Sequence, residues 1–157
     1  MTTTSLFQRI TEFLDQHKVK YSVIEHPPTP TSEESAKHRG EPLKIGAKAL
    51  VLKMDKDFLL AVIPADCKLD TKRLKNIMHT RNLRFATPEE LNEKTGCDKG
   101  AVPPFGDLLG LPMIVDGSLF EEEYMAFNAG SLEKSIKMRT LDYRECVRPR
   151  IESFSAR

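Results

Sequence analysis

Few of the features that would place this sequence quickly are present. Cysteine is scarce: three in 157 residues, at Cys67, Cys97 and Cys146, with no CxxC spacing. An odd, scattered set like this argues against both a disulfide framework and a zinc site. Charge of one sign is missing too. Lys and Arg total 24 against 23 Asp and Glu, a formal net charge of +1, so any basic binding surface must be local. No stretch approaches the ~20 apolar residues that span a bilayer. The opening "MTTTSLFQRITEF" lacks a basic leader and a long apolar run, so no signal peptide is expected. A cytoplasmic protein with no membrane contact is the simplest expectation. Familiar catalytic signatures are absent as well: no GxGxxG, no Walker-type loop, no GxSxG elbow, no HExxH. The histidines at 17, 26, 38 and 79 show no metal spacing. A serine hydrolase or a zinc enzyme is therefore not expected, and no metal or other cofactor is implied.

What is present is a balanced globular composition, 39% hydrophobic and 30% charged. The length favours a single domain, 1–157, able to bury roughly 68–70% of its unfolded surface without disulfides or metal. Ser5 and Gln8 form a capping box. Leu6, Ile10, Phe13, Leu14 and His17 follow at helical spacing, with His17 expected to be partly buried. "VKYSVIEH" alternates as a strand. "PPTPT" then signals a turn, and Thr31 with Glu34 opens a short helix ending at Gly40. Strands are predicted over 46–53 and 58–64, joined by a tight turn at "DKD". A helix over 70–79 should bury Leu74, Ile77 and Met78. A short strand near 83–86 precedes "TPEELNEKTG", with Thr87, Pro88, Glu90 and Gly96 as start and stop signals. Residues 97–112 are too rich in Gly and Pro for either element and read as a long structured loop. Strands "PMIVD", "YMAFNAG" and "KSIKMR" and a helix near Thr140 follow. The tail "VRPRIESFSAR" is expected to fray. The predicted fold is mixed α/β (α+β): a curled, largely antiparallel mixed sheet or partial barrel with peripheral helices.

Three features could carry chemistry. In "GAKALVLK" the period of two puts Lys48 in a row with Leu50 and Leu52 on what reads as an interior strand. Its stem either packs while the ammonium reaches solvent, or it projects a charge into a cleft to meet a carboxylate or phosphate. "GAVPPFG", residues 100–106, is held by two prolines and freed by two glycines. It is either a structural turn or a rigid wall presenting backbone groups to a ligand, and its length favours the latter. "FNAGS", residues 127–131, is either a hairpin turn or a second such wall.

Taken together, "TSEESAKHRG", "GAKALVLK", "GAVPPFG" and "FNAGS", in this order and spacing, resemble the YbaK-type aminoacyl-tRNA deacylases. These in turn are similar to the editing domain inserted in bacterial prolyl-tRNA synthetases. The resemblance runs from about residue 5 to about 145. It implies hydrolysis of the ester joining a wrong, small amino acid to the terminal adenosine of a tRNA, most often a proline tRNA. It implies Lys48, Gly100 and Gly130 as catalytic residues. It implies Thr31, Ala101, Val102, Pro103, Pro104, Phe105, Asn128 and Ser131 as substrate contacts. Some relatives that clear alanine carry a histidine where this chain has Lys134, which weighs against alanine here.

The chemistry fits the residues. An aminoacyl ester is already activated, so positioning a water and stabilising an oxyanion with backbone N–H groups can suffice. The implied partner is the 3′ acceptor end of an aminoacyl-tRNA, with a synthetase as a second possible partner. The run 68–84 is locally basic, and Lys72, Lys75 and Arg81 are candidates for tRNA contact. An ordinary solvated face is the competing reading. A binding module without turnover, docking onto a synthetase, is the alternative function.

Overall fold

A computed structural model describes residues 4–28 and 31–157. Helix α1, Leu6–Gln16, starts at the Ser5–Gln8 capping box, with both reciprocal hydrogen bonds made. Its apolar stripe seats Ile10 and Leu14, both fully buried. His17 departs from expectation. It is exposed, because it caps the helix end: its ring lies 4.4 Å from Phe13 and its Nδ1 is 2.9 Å from the Phe13 carbonyl. Strand β1, Tyr21–Glu25, follows. Pro27 and Pro28 continue the turn, while the predicted Pro30 lies outside the described residues. Helix α2, Ser32–Arg39, is capped by the Thr31 hydroxyl accepting from the Glu34 amide.

Strands β2, Ala47–Met54, and β3, Asp57–Pro64, form the expected hairpin. After β4, Lys68–Leu69, comes α3, Thr71–Met78, capped by Asp70. Leu74 is fully buried, whereas Ile77 and Met78 are half-buried. Strand β5, Leu83–Phe85, leads into α4, Pro88–Thr95, through a complete Thr87–Glu90 capping box. The expected loop 97–112 contains one helical turn, α5, Gly106–Leu109. Then follow β6, Met113–Asp116; β7, Tyr124–Asn128; β8, Lys134–Arg139; and α6, Thr140–Val147. The turn at 117–121 is capped by Asp116, whose carboxylate accepts from the Ser118 amide.

The tail is the largest correction. It does not fray. Strand β9, Arg150–Glu152, runs parallel to β6, and β10, Ser155–Ala156, pairs with β4. Phe154 between them is fully buried, and its amide donates to Asp116 at 2.8 Å. Burial pushes the Asp116 carboxyl up, but the Ser118 hydroxyl and the Phe154 amide outweigh it and hold it below its usual range. One large aromatic side chain with an amide partner is enough to dock a polar segment.

The main sheet has the order β5-β2-β3-β6-β9. It is mixed, with β3–β6 and β6–β9 parallel and the hairpin pairs antiparallel. A three-stranded antiparallel sheet, β1-β8-β7, is separate. Strand β6, although adjacent in sequence to the β7–β8 hairpin, belongs to the main sheet. Period-two alternation gives the main sheet two buried faces. Ala47, Val51, Leu60, Val62 and Val115 share the larger core with α1, α6 and the smaller sheet. Leu52, Leu59, Ala61, Ile63 and Ile114 share the second core with Leu74 and Phe154.

Candidate active site

A gap in the main sheet creates the site. Strand β2 pairs with β3 along its whole length. On its other side β5 covers only Leu52–Met54, and β7 touches only through a bridge between Gly46 and Ala126. The Gly46 carbonyl accepts from Ala65. Antiparallel alternation then turns the backbone groups of the odd-numbered β2 residues away from β3. The Val51 carbonyl follows this rule, accepting from Ala86 at 3.0 Å. The N–H and C=O of Ala49 face the uncovered stretch. A cleft of about 790 Å³ opens there, lined by residues 46–51. This size is in the range of small-ligand sites. Lys48 stands in the leucine row because its end of the strand borders this cleft rather than the core. Its side is exposed, and it makes no ion pair among the described residues.

A loop and the end of β7 wall the far side. Lys99, Gly100 and Val102 come from the loop, and Ala126, Phe127 and Asn128 from β7. Asn128 ties them together. Its Nδ2 donates to the Gly100 carbonyl at 2.8 Å and to Ser35 at 3.3 Å, and its Oδ1 accepts from Ser135 at 3.0 Å. Arg39 donates to the same Ser135 hydroxyl at 3.2 Å, and His26 Nε2 lies 2.8 Å from it. Behind this, the Gly130 amide donates to the Ala101 carbonyl at 2.9 Å. Gly100 and Gly130 both have left-handed backbones, φ +89° and +77°, which glycine adopts without a Cβ penalty.

The electrostatics are one-sided. Arg39, Lys48, Lys68 and Lys99 line the cleft, against the single carboxylate of Glu33. Among the described residues none of the four cations sits in an ion pair; the pairs that form involve other side chains. Arg39 is half-buried, and burial lowers its pKa despite nearby Glu41. Its Nε is buried without a hydrogen-bond partner among the described residues. Such a set is suited to an anionic ligand. No group of three or more His, Cys, Asp or Glu able to hold a metal occurs among the described residues.

The structure brings Lys48, Thr31, Gly100, Val102 and Asn128 to one cleft. It does not bring the other expected site residues there. Ala101, Pro103, Pro104 and Phe105 are buried behind the wall. Phe105 packs its ring 5.3 Å from Phe127 and 5.7 Å from Tyr143, and the Tyr143 hydroxyl donates to the Pro104 carbonyl at 2.6 Å. These residues shape the wall rather than face a substrate. Gly130 packs against Leu6 of α1, and Ser131 accepts from the Glu133 amide at 3.0 Å. Lys72, Lys75 and Arg81 lie outside the cleft lining, although Thr71, next to Lys72, is part of it. Lys134 places its ammonium 4.6 Å from the Phe7 ring centroid. Arg39, Lys68, Lys99 and Phe85 were not singled out from sequence. Lys68 belongs to the basic run, but nothing in the pattern marked it as the cleft-facing member.

A mixed α/β fold with a cleft lined by four cations is the setting of a domain suited to an anionic ligand. The chain belongs to the aminoacyl-tRNA editing domain family, whose pattern matches residues 26–146. It is 35% identical over 152 residues, 94% of this chain and 91% of the relative, to the Escherichia coli K12 protein named multifunctional Ser/Thr-tRNA deacylase ProXp-y. It is 28% identical over 155 residues, 95% of this chain and 94% of the relative, to the prolyl-tRNA editing protein ProX of Acetoanaerobium sticklandii. A crystal structure described as a candidate trans-editing enzyme for prolyl-tRNA synthetase superposes with a TM-score of 0.83 at 24% identity, covering 99% of this chain and 100% of the other, a likeness of fold.

Proposed function

We propose that this chain is a trans-editing deacylase, acting as a single domain, that hydrolyses the ester of a small amino acid wrongly attached to a tRNA. Serine and threonine lead the candidates, since the relative of 35% identity is named for them. The observation that carries the reading is the pairing of four cations, in no ion pair among the described residues, with the small lining residues Ala47, Ala49 and Gly100. The cations suit the phosphates of a 3′ end. The small residues of the wall let an aminoacyl group come close to the open β2 edge. A tRNA charged with such an amino acid is the partner this implies, with a synthetase as supplier, and the compartment of translation, the cytoplasm, is the expected site of action.

The chain's own groups suffice for the chemistry. Lys48 at the rim anchors a phosphate or ribose oxygen and sets the ester against the uncovered β2 edge. The Ala49 N–H, pre-aimed by the sheet, serves as a donor to the developing oxyanion; one such donor is typically worth roughly 10²–10³ in rate. The ester is labile, so a positioned water replaces a side-chain nucleophile. Asn128 holds the Gly100 wall at a fixed distance from that edge.

Lys48→Ala tests the reading. Release of free serine or threonine from mischarged tRNA should fall at least about 100-fold in kcat/KM, combining lost binding and lost alignment. The melting temperature should stay within a degree or two, since the side chain is exposed. Hydrolysis at the wild-type rate would refute the role of Lys48. No release from any mischarged tRNA by the wild-type chain would leave a binding module instead.

A further inference from the structure

Strand alternation sorts the cleft lining into two lobes, one for each face of β2. Odd-numbered β2 residues face one lobe, with Ala86, Leu91 and Val102 around it. Even-numbered ones face the other. There Lys48 and Leu50 are joined by Lys68, Leu69 and Thr71 from the β4–α3 segment, and by Phe85. Phe85 stands directly across from Leu52 in the sheet register, and opposed residues put their side chains on the same face.

Phe85 is unusual in this molecule. It is 55% exposed, and among the exposed large apolar side chains of the described residues (the others are Val23, Tyr124 and Leu141) it alone lines the cleft. The backbone beneath it is fixed. Ala86 donates to Val51 at 3.0 Å, and Arg84 holds both Glu90 oxygens at 2.7 and 3.0 Å. An exposed aromatic face lining the same cleft as Lys48 and Lys68 supplies the two parts of a single-stranded nucleic-acid site: a stacking surface and cations for the backbone. We propose that Phe85 is the stacking platform for a nucleobase of the 3′ end, with Lys48 and Lys68 on the adjoining phosphates. The second lobe takes the nucleotide, and the small-residue lobe takes the aminoacyl group. This assignment rests on the deacylase reading above.

The test uses an accident of composition: the chain contains no tryptophan. Phe85→Trp therefore introduces a sole indole at the proposed platform. Titration with the trinucleotide CCA should quench its fluorescence, while ribose 5-phosphate at equal concentration should not. In parallel, Phe85→Ala should raise KM for a mischarged seryl-tRNA roughly 5- to 100-fold, the usual range for one lost base stack. Its kcat should change little, and Phe85→Trp should restore KM. An unchanged KM in Phe85→Ala, no quenching by CCA, or equal quenching by ribose 5-phosphate each overturns the proposal. If Phe85→Ala fails to fold, the Phe85→Trp titration decides alone. Quenching by CCA without hydrolysis of any mischarged tRNA would keep the platform and defeat the deacylase reading. Hydrolysis without quenching would do the reverse.

Discussion

Glu90 sets the corner from which Phe85 projects. It takes the Arg84 guanidinium on both oxygens and the Thr87 amide at 2.9 Å. The Arg84 hydrogen bonds, then the Thr87 amide, bring its pKa from 4.5 to about 2. A carboxyl depressed on folding contributes stability at pH above its ordinary value. That contribution is lost as pH falls through the folded value. Glu90→Gln should therefore melt below wild type at pH 7, and the gap should close between about pH 4.5 and pH 2. Melts followed from pH 7 to pH 2 check this; a gap that stays constant would detach the effect from the Arg84 pair. The Thr87–Glu90 spacing was readable as a cap from the sequence alone. Its second use, gripping an arginine on the preceding strand, was not, because that contact depends on how β5 meets α4.

At the scale of elements, two irregular loops and one strand edge build the site. Gly130 shows how they are locked. Its φ of +77° disfavours any side chain, and an added Cβ would lie 3.1 Å from Leu6 carbons. Gly130→Ala should cost about 1–3 kcal/mol in urea unfolding, from strained backbone plus overpacking. Deacylation should fall further than stability explains, because the Gly130–Ala101 hydrogen bond that ties the walls shifts with it. A stable variant with normal activity would show that α1 does not brace the wall. The sequence marked both loops by their Gly and Pro content. It could not tell which residues face inward. Ala101 to Phe105 looked like ligand contacts, yet the loop turns Pro103, Pro104 and Phe105 into the core, where an aromatic ring is worth most.

Across the whole molecule, the tail and the cleft are coupled. Strand β10 pairs with β4 through Lys68 and Leu69, both of which line the cleft. Phe154 anchors that pairing in the second core. Phe154→Ala should destabilise by about 3–5 kcal/mol and should weaken tRNA binding as well, measured by filter retention at fixed salt. Undiminished binding in a folded variant would uncouple the two. The cations make a separate forecast. If Lys68 neutralises a phosphate, Lys68→Ala should reduce the slope of log affinity against log salt by roughly one contact's worth. Lys72→Ala serves as the comparison from the outer face of α3. Equal slopes for Lys68→Ala and wild type would remove Lys68 from the nucleic-acid surface. No described helix is long and apolar enough to cross a membrane.

The sequence by itself determined the periodic elements, the caps, the mixed largely antiparallel fold and the ordered set of four motifs that pointed to tRNA editing. These depend on local spacing, and spacing survives in one dimension. Only the tertiary structure decided that β2 is left uncovered between β5 and β7, that the tail docks through Phe154, and that Arg39, Lys68 and Phe85 share a cleft with Lys48. Each of those outcomes joins segments distant in the chain. They follow from which edges pair and which faces stay bare, and no local pattern encodes that.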